Sequence, residues 1–177
     1  KKAKDIVTTS EASFVELYGR GSIVREANTA RLDLNVHGLA AFDLRTFKPD
    51  CTPWDFTLKR GRRMALEYIN LREQYVVICS PPCTAFCSLS AHMNFRKMNK
   101  QQVKEIIRVG QLHLKVMVKI YKGQVAGGRY FVHEHPASAV SWNEKEMIDL
   151  MAMRGVILTR ADQCMYGLQN RDGAGGM

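Results

Sequence analysis

The chain has 177 residues, 46% of them hydrophobic and 24% charged, with a formal net charge of +9. That length is one domain's worth, able to bury a core of its own, and no apolar run nears the ~18 residues of a membrane span and no signal peptide is seen, so no membrane partner is expected. Five cysteines without framework spacing argue against a secreted disulfide scaffold and for a reducing, intracellular setting, while the excess of Lys and Arg favours an anionic partner, nucleic acid above all.

The chain opens KKAKD, without a methionine, and closes in the glycine-rich DGAGGM. It reads as a single domain, residues 1–177, excised from a longer polypeptide. Ser13 to Tyr18 (SFVELY) suit a strand, GRGS follows as a turn, and IVREANTARL is helical in composition. Leu39 to Leu44 predict a second strand that carries an acid, Asp43, near its end. A loop, TFKPDCTPWDF, leads to a basic helix, LKRGRRMALEYINL. Tyr75 to Cys79 are mostly β-branched or aromatic and run into Pro81-Pro82, a third strand that stops at the prolines. From Gln101 to Tyr121, Val103, Ile106, Ile107, Gly110, Leu114, Met117, Val118 and Tyr121 fall at helical spacing. RYFVHEHP predicts a fourth strand, SWNEKEMIDLMAM a helix capped by Ser141 with Glu144 three residues on, and GVILTR a further strand. Strands and helices alternate throughout, which predicts an α/β fold: a doubly wound, mostly parallel sheet with helices on both faces.

A parallel sheet gathers its carboxyl ends at one edge, where ligands bind. GRGS, SPPC and HEHP each follow a predicted strand, so Cys83 and Glu134 share that edge. The proline pair holds Cys83 on a stiff loop without backbone donors. A thiolate beside a carboxyl group that donates a proton is a workable pair for adding sulfur to an electron-poor ring.

These residues carry a resemblance. SPPCTAF resembles the catalytic loop of cytosine-5 DNA methyltransferases, whose fourth motif ends in Pro-Cys, and FVHEHP is similar to their Glu-containing sixth motif. ELYGRGS resembles the first, S-adenosylmethionine-binding motif, and DQCMYGLQNR the eighth, where a Tyr-Gly precedes a Gln-x-Arg. The motif order agrees with that family over nearly the whole chain. The resemblance implies S-adenosylmethionine-dependent methyl transfer to carbon 5 of cytosine in nucleic acid, DNA ahead of RNA, on a Rossmann-like domain. It makes Cys83 the thiolate that attacks carbon 6 of a flipped cytosine, Glu134 the group that holds and protonates ring nitrogen 3, and Arg171 the contact to the cytosine carbonyl oxygen. For the cofactor it implies Tyr18, Gly19 and Gly21 in the first loop, Pro81 beside the cysteine, Asp43 for the ribose hydroxyls and Asp55 for the adenine amino group. Arg60, Arg62 and Arg63 of LKRGRR are candidates for a phosphate backbone. The chain departs from the family where Arg20 replaces a small residue and Cys87 a serine, and no segment the size of a target-recognition domain follows the eighth motif.

Each residue also has a plain structural reading. Glycines make turns, Asp43 and Asp55 cap or face solvent, Cys83 and Cys87 pack as small hydrophobes, His133 and His135 pack on one strand face, and LKRGRR is a solvated helix face. A zinc cytosine deaminase needs His-x-Glu ahead of Pro-Cys-x-x-Cys, whereas here the cysteines stand four positions apart and precede HEH. The rival of another class is a methyltransferase-like fold kept as a nucleic-acid-binding or assembly module without turnover.

Overall fold

Among the described residues, four apolar runs bounded by turn residues become strands and form one sheet: β1 Ala12–Leu17, β2 Val36–Phe42, β3 Val76–Cys79 and β4 Tyr130–His133. They belong to a computed structural model that describes residues 12–29, 36–162 and 165. Among the described residues five α-helices, α1 Ser22–Thr29, α2 Lys59–Arg72, α3 Ser88–Met93, α4 Lys100–Ala126 and α5 Lys145–Met151, alternate with or follow the strands. The strand order is β2-β1-β3-β4 and every pairing is parallel. The chain therefore winds outward from β1 to β2, then returns past β1 to β3, which puts a switch point between β1 and β3. This is the α/β architecture expected, compatible with a Rossmann-like doubly wound fold.

Side-chain parity assigns the faces. Val15, Leu17, Phe42, Val77 and Cys79 point into one core with Ala65 and Ile69 of α2, Leu114, Met117 and Tyr121 of α4, and Met147 and Leu150 of α5. Phe14 and Glu16 point the other way, toward α1. In register with them, Val76, Ile78, Tyr130 and Val132 share that second face, where Tyr130 and Val132 remain half-exposed. The core helix α4 begins at a capping box, in which Asn99 accepts from the Gln102 N–H and Gln102 from the Asn99 N–H.

Two predicted elements come out differently. GVILTR forms no strand: Ile157 and Leu158 are exposed, and the segment lies beside β4 without entering its ladder. SWNEKEMIDLMAM splits into a 3-10 turn, Val140–Asn143, and α5, whose N-cap is Glu144. Ser141 is fully buried because its hydroxyl pairs with the His135 Nδ1 instead of capping a helix.

Candidate active site

Leu17, Phe42, Cys79 and His133 are register partners, so they form one row across the carboxyl edge of the sheet. Each residue that follows the row opens a loop, and the four loops carry Tyr18–Gly21, Asp43, Ser80–Cys83 and Glu134–His135. Past β3, the Ser80 N–H still donates to the Leu17 carbonyl at 3.2 Å and the Glu134 N–H to the Cys79 carbonyl at 3.0 Å. Pro81 and Pro82 offer no donor, and there the ladder stops. Pro81 is buried, Pro82 is exposed, and Cys83 is half-buried at the start of a turn closed by the Phe86 N–H on the Cys83 carbonyl at 2.8 Å.

Two neighbours hold that turn. Gly110 of α4 packs against it so closely that a Cβ there would stand 2.3 Å from the Ala85 Cβ and 3.2 Å from the Phe86 ring. The Phe86 carbonyl accepts from the Val140 N–H at 2.9 Å, and the buried Phe86 ring meets the His135 ring at 5.9 Å. The cysteine loop is thereby tied to the loop after β4, which carries Glu134. Glu134 itself is exposed. Cys87 is the N-cap residue of α3 and makes no side-chain cap.

The first loop is organised by a residue the sequence reading passed over. Glu16 is 5% exposed, and its carboxylate accepts from the Ile23 and Val24 N–H groups at 3.1 and 3.4 Å, at the start of α1. A Cβ at Gly19 would collide with that carboxylate, which explains the glycine. Gly21 follows at φ 81°, in the left-handed region. Tyr18, a non-glycine, also sits there at φ 62°. Its hydroxyl pairs with His113 Nδ1 at 2.9 Å and its ring packs on Phe56 at 4.8 Å, so Tyr18 is turned into the space between the sheet and α4.

Asp43 and Asp55 each use one oxygen in a local turn. Asp43 Oδ1 accepts from the Arg45 N–H at 2.9 Å, and Asp55 Oδ1 from the Thr57 N–H and hydroxyl at 2.8 and 2.6 Å. The other oxygen of each takes no hydrogen bond among the described residues and stays available. The arginines of α2 divide. Arg62 donates to the Phe56 and Thr57 carbonyls at 2.9 and 2.7 Å and so fastens the Asp55 loop, whereas Arg60 and Arg63 keep exposed heads in surface pairs with Asp50 and Glu67. Such pairs hold a side chain only weakly. Arg171 and the rest of the eighth-motif string lie outside the described residues, except for Asp162 and Met165.

His133 and His135 lie over Trp142. The His133 Nδ1 pairs with the Tyr121 hydroxyl at 2.8 Å, and its ring stands edge-on to Trp142 at 5.5 Å. Burial, then the neighbouring His135, pushes the His133 imidazole down to about 4, and burial also lowers His135. Both act as neutral packing groups at neutral pH. A cavity of about 500 Å³ lies beside β4, and its lining includes Glu134, His133, His135, Trp142 and Met147, but neither Cys83 nor the Tyr18–Gly21 loop. Cys79, one residue short of the loop, is fully buried, and burial pushes its thiol up to about 12.

Directly after the cysteine loop, α3, a 3-10 turn over Phe95–Lys97 and the first turns of α4 expose Arg96, Lys97, Lys100 and Lys104. Residues 74–104 contain no Asp or Glu. None of the four cations forms an ion pair among the described residues. Among the described residues no group of three or more His, Cys, Asp or Glu stands ready to hold a metal, and no helix is long and apolar enough to cross a membrane. Comparison with protein-family models, with curated proteins and with solved structures finds no match to the chain.

Proposed function

We propose that the domain transfers a methyl group from S-adenosylmethionine to carbon 5 of cytosine in nucleic acid. The observation that carries this is the packing of the Cys83 turn against the loop bearing Glu134, through the Phe86–His135 contact and the Val140–Phe86 hydrogen bond, at the carboxyl edge of a doubly wound sheet. The first loop fits the proposed cofactor by its charge. In a dinucleotide site the helix N-terminus receives a pyrophosphate; here the buried Glu16 carboxylate already occupies the α1 amides, which opposes a phosphate and suits a cationic sulfonium ligand. The free oxygens of Asp43 and Asp55 suit ribose hydroxyls and an amino group.

Cys83 adds its thiolate to carbon 6 of a cytosine turned out of its stack, and Glu134 holds ring nitrogen 3 and gives it a proton, which makes carbon 5 nucleophilic. S-adenosylmethionine supplies the methyl electrophile. Loss of the carbon 5 proton and expulsion of the thiolate then free the enzyme. Arg96, Lys97, Lys100 and Lys104, which follow the cysteine loop in the chain, favour a polyanionic substrate, with DNA ahead of RNA. The free thiols of Cys51, Cys79, Cys83 and Cys87 suit an intracellular, reducing setting. The test is transfer of labelled methyl from S-adenosylmethionine to a cytosine-containing oligonucleotide, abolished by Cys83→Ser and by Glu134→Gln. A protein that binds the oligonucleotide yet never transfers methyl or binds S-adenosylmethionine is the binding module instead.

A further inference from the structure

We infer that His113 is a positioning residue for the loop Tyr18–Gly21, acting through the Tyr18 hydroxyl. This rests on the reading of that loop as the cofactor loop, and it adds a residue on a distant helix that sets the loop's shape.

A non-glycine residue in the left-handed region is strained and persists only where its surroundings over-determine it. Tyr18, at φ 62°, is such a residue, and three contacts fix it. Its N–H donates to the Phe42 carbonyl at 2.8 Å, its ring lies on Phe56, and its hydroxyl meets His113 Nδ1 at 2.9 Å. The first two come from the adjoining strand and the loop behind it. The third comes from α4, where His113 is 8% exposed and its ring stands edge-on to Tyr18 at 5.2 Å.

A buried imidazole on an apolar helix face is costly unless it has a partner, and Tyr18 is that partner. Burial keeps both groups neutral, raising Tyr18 and lowering His113. The consequence runs along the chain. The reversed turn at Tyr18 lays Gly19 over the Glu16 carboxylate, and Gly21 then opens α1, whose Ile23 and Val24 amides close on Glu16. Gly110, three residues before His113 and on the same helix face, receives the Ala85–Phe86 turn behind Cys83. One face of α4 thus seats both loops of the proposed site.

The experiment compares Tyr18→Phe, His113→Ala, the double variant and His113→Asn, whose amide reaches the place of Nδ1. The first readout is amide hydrogen exchange of the ligand-free protein at Tyr18, Ile23 and Val24, with Val15 and Val77 of the central strands as reference. Tyr18→Phe and His113→Ala should each raise exchange at the loop about tenfold and leave the strands unchanged, the double variant should add nothing, and His113→Asn should stay near wild type. The second readout is calorimetric affinity for S-adenosylhomocysteine, expected to fall about tenfold in the same variants. Unchanged exchange at the three loop amides, or additive effects in the double variant, overturns the inference. If the wild type binds no S-adenosylhomocysteine while exchange behaves as described, the positioning role stands and the cofactor reading falls. Should His113→Ala fail to fold, Tyr18→Phe, which removes one oxygen, and His113→Asn carry the exchange comparison.

Discussion

Helix α4 contains two glycines in unlike surroundings, and adding one methyl to each separates helix propensity from the packing of the cysteine loop. At Gly123 a Cβ meets nothing within 4 Å, so Gly123→Ala should gain the propensity difference, on the order of 1 kcal/mol. At Gly110 the same methyl would stand 2.3 Å from the Ala85 Cβ, an atom fixed to its backbone that no rotamer moves. The turn behind Cys83 must shift, and overpacking of this kind costs about 1 to 3 kcal/mol. The propensity gain is common to both variants, so their difference isolates the steric cost: Gly110→Ala should lie about 1 to 3 kcal/mol below Gly123→Ala. For a chain of this size each kcal/mol moves the melting temperature by roughly 2 to 4 °C. Urea titrations give the free energies directly, and the rate of Cys83 alkylation should change in Gly110→Ala alone. A Gly110→Ala variant as stable as Gly123→Ala, with Cys83 reacting at the wild-type rate, would refute the claim that α4 seats the cysteine loop.

Glu16→Ala leaves two α1 amides without an acceptor and should cost about 1 to 2 kcal/mol, while Glu16→Gln should recover most of it; equal stability of the two in urea would contradict the capping role. His133 titrates at about 4 in the fold against ~6.5 when unfolded, so between those values the unfolded chain binds the extra proton. Stability should be full above pH ~6.5 and decline toward pH ~4, by roughly 3 kcal/mol from this group. His133→Asn, which keeps a partner for Tyr121, should flatten the dependence of the urea midpoint on pH, and an unaltered slope would count against it. Alkylation of the native protein at pH 8 should modify exposed Cys51 and half-buried Cys83 and spare Cys79 until urea is added; native labelling of Cys79 would contradict the buried strand end.

The parallel sheet was legible because its strands are short apolar runs punctuated by Gly or Pro, and strand parity and crossover handedness do the rest. Tyr75 to Cys79 predicts β3 to within a residue, since the proline pair enforces its end. Once the sheet is parallel, GRGS, SPPC and HEHP must meet at one edge, and the row Leu17, Phe42, Cys79, His133 is that edge. Residues whose roles depend on a distant partner were illegible. Glu16 looks like a solvent-facing break in SFVELY, because nothing local reveals that α1 turns its first amides onto it. The signal was an acid between Val15 and Leu17 in a strand buried on both faces. His113 interrupts an apolar stripe for the same reason, its partner Tyr18 being far away in sequence. Ser141 heads a good capping string, yet the proximity of His135 gives its hydroxyl a buried use instead. GVILTR has strand composition, but composition supplies no neighbour to complete a ladder.

In the proposed mechanism Cys83 is a nucleophile assisted by Glu134, and an oligonucleotide bearing 5-fluorocytosine should capture it, because fluorine at carbon 5 blocks the elimination that would free the thiol. Incubated with S-adenosylmethionine, the wild type should form a covalent complex that survives denaturation, with the peptide containing Cys83 carrying the base in the mass spectrum. Cys83→Ser should form none, and Cys87→Ser should form it as the wild type does. A complex that persists in Cys83→Ser, or no complex from a wild type that binds both the oligonucleotide and S-adenosylmethionine, would contradict the account.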